Sequence, residues 1–303
     1  MGKSIVISVI IYIFAIVFVI LGIPFISQIA YKSFSNEIYE LHHEHMNDES
    51  SEVGENNEDY EKEVQEVFKS ADDIVVDGVG KPIISIVIDD FGYSLDESVM
   101  YAIKNLPITV AVIPFLDYSR KVYEIAKDNG KEVIIHMPME SYNNRYNRNK
   151  NYIKVGMKEE EILSILENAF NEIPVYGMNN HMGSKATEDY EVMSIVLSFL
   201  KERGKFFLDS VTTPNTVGFK RARELGLVPL KRDVFIDNVS SKYYIMDRLQ
   251  EVENIAKKKG FCIAIGHIRK NTIKALDIWY RSVSNKYRFV NLKDLYDLLE
   301  KEL

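Results

Sequence analysis

Cysteine is almost absent. Cys262 is the single thiol in 303 residues, so no intrachain disulfide can form. It lies in the apolar run Phe261 to Ile265 and is read as a small buried hydrophobe. Stability must therefore come from a hydrophobic core, which a domain of about 220 residues can bury. A basic surplus is also missing. The formal net charge is −8, spread as −13 between Phe34 and Gly80, +2 in the first 32 residues and about +3 beyond. No stripe of Lys and Arg interleaved with aromatics is visible, which removes the usual electrostatic support for nucleic-acid binding. No short internal repeat is found, and no protein partner is identifiable. The spacing His-x-x-x-His occurs nowhere in the chain.

What is present begins with an apolar run from Ile5 to Ile26, broken only by Ser8, Gly22 and Pro24. As a helix it matches the hydrocarbon thickness of a bilayer. The only candidate signal-peptide exit, Ser27 to Ala30, is weak, so residues 1–30 are expected to be an uncleaved anchor. An acidic spacer of 31–79 follows, with fifteen Asp and Glu against Lys62 and Lys69 over Phe34 to Gly80. Low apolar content and like charges predict a flexible or partly helical linker. The expected location is the cell membrane, single-pass, with a domain over 80–303 outside the cytoplasm. His42, His43 and His45 lie in the spacer and are read as surface residues.

From Lys81 onward, apolar β-branched runs alternate with amphipathic stretches. Strands are predicted at Ile83–Ile88, Ile108–Ile113, Glu132–Met137, Val175–Met178, Lys205–Leu208, Leu227–Ile236 and Phe261–Gly266, with a weaker one at Tyr287–Val290. Most runs are continuous, as suits strands covered on both faces. Helical patterns fill the intervals, several stopping at glycine: Gly130, Gly204, Gly226 and Gly260. The alternation predicts an α/β fold, a distorted (β/α) barrel of seven or eight parallel strands.

Three histidines, His136, His181 and His267, fall at or just past predicted C-terminal strand ends. In α/β barrels and open sheets, the loops leaving those ends converge on one site. The first strand runs directly into Asp89 and Asp90. Neighbouring residues at a strand end point different ways, so one aspartate can bind a metal while the other orients or deprotonates a water. Asp209 and Asp233 end or interrupt further apolar runs, and Arg232 could hold an aspartate through paired hydrogen bonds. Asp237 is read as a loop acid, and Asn179 and Asn180 as residues that hold ligands or touch substrate. One aspartate and two histidines with open positions describe a catalytic divalent site. Zinc is the usual occupant, and iron, cobalt or manganese would tolerate the same donors. The remaining histidine is then free to protonate a leaving group.

The blocks IVIDDFGYS, ITVAVIPF, VIIHMPME, GMNNHMGSKAT, FFLDSVTTPNTVG, KRDVFID and AIGHIRKNTIKAL occur in this order. Together, over about Lys81 to Leu295, the chain resembles the divergent polysaccharide deacetylases, a distant branch of the carbohydrate esterases. The resemblance implies a metal-dependent hydrolase that removes acetyl groups from an N-acetylated sugar polymer. It implies Asp89 as base, Asp90 as metal ligand and His267 as general acid, with Arg232 and Asp233, or Asp209, orienting the base. The deacetylases proper take two ligands from histidines four apart. Here the fourth position after His136 is Glu140, so His181 is the expected third ligand. Tyr93, Phe115, Tyr142 and Tyr146 are candidates to stack on sugar rings. Two other readings are a carbohydrate-binding envelope protein without turnover and a hydrolase of another amide or ester.

Overall fold

The computed structural model describes residues 80–143 and 151–302. The expected anchor and spacer, and Tyr146, lie outside the described residues. Among the described residues no helix is long and apolar enough to cross a membrane.

Each apolar run becomes a strand, and each amphipathic stretch becomes a helix that covers the sheet. In chain order the elements are β1 (Ile83–Phe91), α1 (Glu97–Asn105), β2 (Thr109–Val112), α2 (Ser119–Asp128), β3 (Val133–Met139) and α3 (Glu159–Glu172). Then come β4 (Gly177–Met182), α4 (Tyr190–Glu202), β5 (Phe206–Asp209), α5 (Gly218–Glu224), β6 (Leu230–Lys231) and β7 (Val234–Phe235). The domain finishes with α6 (Lys242–Lys259), β8 (Phe261–His267), α7 (Lys270–Val283), β9 (Arg288–Phe289) and α8 (Leu292–Glu300). Local chemistry sets several boundaries. Asp96 caps α1 by accepting from the backbone N–H groups of Ser98 and Val99. Gly260 ends α6 in the left-handed conformation, φ 85°.

The strands pair in parallel in the order β6-β5-β4-β3-β2-β1-β8-β7, and β9 adds to β1. The expected distorted barrel is met in part: the parallel sheet is curled and covered by helices, but β6 and β7 at its two edges are not paired with each other. The predicted strand Leu227–Ile236 is accordingly two short pieces. The backbone N–H of Arg232 still bonds to Asp209 on β5, whereas that of Asp233 bonds to Ile263 on β8. The segment changes partner between two adjacent residues, so only the covalent chain spans the gap.

One row of side chains packs against the helices. It includes Ile84, Ile86 and Ile88 of β1 and Cys262 and Ala264 of β8, all buried. The opposite row ends in Asp89 on β1, which is 2 % exposed and pairs in register with His267 on β8. The two-residue period of a strand thus delivers these side chains to one end of the curled sheet.

Candidate metal centre and acid–base site

β1 does not end before its aspartates; it carries both. A register shift interrupts its pairing with β2 between Ile88 and Phe91, and Asp90 adopts φ 69°. Regular alternation would turn Asp90 away from Asp89. The bulge and the left-handed backbone bring both carboxylates toward His136, at 3.6 Å from Asp89 Oδ2 and 3.4 Å from Asp90 Oδ1 to its Nε2. Such a conformation in a non-glycine residue costs on the order of 1–3 kcal/mol and recurs at functional sites.

His136 comes from β3 and His181 from β4. Asp90 Oδ1 lies 3.1 Å from His181 Nδ1, which lies 3.1 Å from His136 Nε2. One donor atom from each of Asp90, His136 and His181 falls within 4.8 Å of the others, so the cluster can coordinate a divalent metal. Two observations show that these residues fit a cation. Asn179 accepts from His136 Nδ1 at 2.8 Å through its Oδ1 while its Nδ2 donates to Asp89 at 2.9 Å. That fixes the imidazole proton on Nδ1 and leaves the Nε2 lone pair facing the cluster. Asp90 Oδ1, in turn, is buried and faces the ring nitrogens of both imidazoles.

The electrostatics divide the cluster: burial lowers His136, but Asp89 and Asp90 prevail and raise it. Burial pushes the Asp90 carboxyl up, but His136 and His181 outweigh it and hold the group well below the usual carboxylate range. Asp89 moves the other way: burial raises it, against the opposing pull of His136, His267 and Asn179. Burial lowers His181, and repulsion from His136 adds to that despite the pull of Asp90. Two adjacent carboxylates with opposite shifts can serve different purposes.

His267 occupies the neighbouring strand end. Its Nδ1 lies 2.8 Å from Asp237 Oδ1, and its backbone N–H donates to Asp237 Oδ2 at 2.8 Å. Thr272 also donates to that carboxylate at 2.7 Å, and Asp237 is fully buried. Reading Asp237 as a loop acid is therefore corrected: it is the partner of His267. Its position in KRDVFID, two residues past Phe235 at a strand end, is the signal that could have found it. Burial lowers His267, but Asp237 prevails and raises it above its ordinary value.

The other proposed acids sit elsewhere. Asp209 shares the side of Phe207, since a Cβ added at Gly218 on α5 would meet both. Its oxygens accept from the backbone of Val211 and Phe219 and from Thr216 Oγ1, so it anchors the β5–α5 connection. Asp233 bonds to Lys259 Nζ at 2.8 Å and to the Ile263 N–H at 2.8 Å, four residues before His267 on β8. Neither carboxylate bonds to Asp89. Arg232 donates to the carbonyls of Ser210 and Val211 and lies 3.9 Å over the Phe235 ring. Phe235 stacks on His267, with centroids 5.8 Å apart. Arg232 therefore forms no ion pair with Asp89; Asn179 is the residue that holds it. Glu140 does not join the cluster: it pairs with Lys185 at 3.0 Å and accepts from the Val155 N–H at 2.9 Å.

An uncharacterised protein of Haemophilus influenzae is 34% identical over 214 residues, covering 70% of this chain and 76% of its own. The uncharacterised protein YibQ of Escherichia coli is 35% identical over 194 residues; the match takes in 64% of this chain and 60% of that protein's length. Among solved structures, an uncharacterised protein from Agrobacterium tumefaciens superposes with a TM-score of 0.67 at 19% identity, over 74% of this chain and 94% of the other. A putative cellobiose-phosphate cleavage protein from Enterococcus faecalis gives 0.51 at 12% identity, over 71% and 99%, and at such identity these likenesses show the fold alone. The family model described as divergent polysaccharide deacetylase matches residues 86–296, which takes in every strand end described above, and the chain belongs to that family.

Proposed function

We propose that this protein is a metal-dependent hydrolase that removes acetyl groups from an N-acetylated sugar polymer at the cell envelope. The observation that carries the reading is the meeting of an Asp90–His136–His181 donor set with Asp89 and an Asp237-supported His267 at adjacent strand ends. A binding protein has no need of ligands, a base and an acid together. Family membership favours a carbohydrate substrate, and Tyr93, 61 % exposed and two residues past Phe91, offers a ring to a sugar face. Placement at the envelope is supported by the apolar run Ile5 to Ile26.

Asp90, His136 and His181 would hold a divalent cation, zinc by donor preference, which would supply Lewis acidity when bound. The raised carboxyl of Asp89 suits a base that takes one proton from the attacking water. The water oxygen bonds to the acyl carbon, and the C–N bond breaks as His267 gives its proton to the departing nitrogen. Acetate and a free amine leave. Asn179 positions Asp89 and His136 at once, so base and ligand keep a fixed relation.

Metal analysis of the protein with acetate release from N-acetylglucosamine oligomers tests the reading. His136→Ala and His181→Ala should lose bound metal. Asp89→Asn and His267→Ala should keep it and lose about 10²- to 10⁴-fold in rate. Unchanged metal in both histidine variants would sink the ligand set, and a metal-loaded parent that releases no acetate would sink the substrate.

A further inference from the structure

Tyr152 and Ile153 lie beside the end of β3, and this stretch is pinned at several points. Ile153 bridges Met139 in parallel; its N–H donates to Pro138 O at 3.0 Å, and its carbonyl accepts from Glu140 N–H at 2.8 Å. The Glu140 side chain then clamps both Val155 N–H and Lys185. This extra edge sets Tyr152, only 9 % exposed, against His181, with ring centroids 6.5 Å apart and planes at 75°. Buried tyrosines normally find a partner for the hydroxyl. The Tyr152 hydroxyl makes no hydrogen bond to another described residue. A phenol is a hydroxyl donor, and the ring contact holds this one beside the donor cluster.

We propose that Tyr152 is a catalytic residue of this site, its hydroxyl donating a hydrogen bond to the acyl oxygen as negative charge develops there. The inference rests on the hydrolase reading above. A neutral phenol held by a pinned backbone is a donor that needs no reorganisation when the carbonyl carbon turns tetrahedral. No proton is transferred from Tyr152; it stabilises charge and keeps its hydrogen. Tyr93, at the rim, contacts more distant parts of the substrate.

Tyr152→Phe in the metal-loaded full chain is the direct test, because it keeps the ring against His181 and removes only the hydroxyl. Metal content and thermal midpoint should stay at the parent's values. Acetate release from N-acetylglucosamine oligomers should lose about 10²-fold in kcat, with KM within about threefold. A Tyr176→Phe control, exposed at the opposite end of β4 from the site, should stay within about threefold in kcat. Parent-like kcat in Tyr152→Phe, or a change confined to KM, overturns the proposal. Should the metal-loaded parent release no acetate, the substrate reading fails and Tyr152 is judged by calorimetry with acetohydroxamate, whose oxygens accept the same hydrogen bond. Weaker binding to Tyr152→Phe than to the parent supports the donor role, and equal binding overturns it.

Discussion

The imidazole of His267 is subject to opposed influences. Burial disfavours its charged form, while the Asp237 carboxylate at 2.8 Å favours it and prevails. Asp237→Asn removes that negative charge and keeps the shape. The acid form of His267 should then be lost at lower pH, so the alkaline limb of the pH–rate profile moves toward acid by about one unit. An unmoved limb would mean that another group supplies the proton. The same pair contributes to stability with a definite sign. A histidine raised above its ordinary 6.5 stabilises the fold fully below that pH, and the contribution disappears as pH rises through the folded value. Denaturant titrations of parent and Asp237→Asn should therefore differ most in mild acid and converge in alkali. The participants in this chemistry were largely readable from sequence, because histidines and aspartates that follow apolar runs must emerge at one end of the sheet. Their orientations were not. The bulge that turns Asp90 inward depends on pairing with β2, and Asp237 looked like loop because β7 is two residues long.

Strands and helices fell close to the predicted runs because continuous apolar β-branched segments have few other ways to be buried. The exception, Leu227–Ile236, changes partner at Arg232 and Asp233, and partner choice is not written in local periodicity. Close packing inside these elements yields a second prediction. A Cβ on Gly177 at the start of β4 would sit 2.2–2.6 Å from three ring atoms of Phe206. That contact is too short, and Phe206 is itself stacked on Tyr296 at 5.3 Å. Gly177→Ala should cost about 1–3 kcal/mol in urea unfolding. Glu140 offers a contrasting case. Glu140→Ala leaves the metal donors untouched but frees Lys185 and the Val155 N–H. Metal content should hold, proteolysis between residues 141 and 157 should speed up, and kcat should fall as Tyr152 loses its fixed position. Parent-like kcat with faster proteolysis would separate the loop from the chemistry.

Asp90, His136 and His181 belong to three different strands, so a cation held between them ties β1, β3 and β4 together. Binding to the folded chain alone raises its stability by about 2.7 kcal/mol when free metal is a hundredfold above Kd. For a domain of this size, adding zinc to chelator-treated protein should raise Tm by roughly 5–10 °C. His181→Ala should largely lose that response. Equal melting with and without metal would argue that the cluster binds none.

The pairing of β1 with β8 also governs how the protein can be made. Translation produces Asp89 and Asp90 first and His267 almost last, although they finish as neighbours across one strand pair. Until Phe261–His267 leaves the ribosome, β1 carries an unpaired apolar edge, a surface that invites association with other chains. A nascent chain stopped before Phe261 would hold Asp90, His136 and His181 yet lack His267, the residue proposed as the acid, and its exposed edge would invite chaperones. Completion of the catalytic apparatus and burial of its most adhesive edge are thus one event, placed near the end of synthesis.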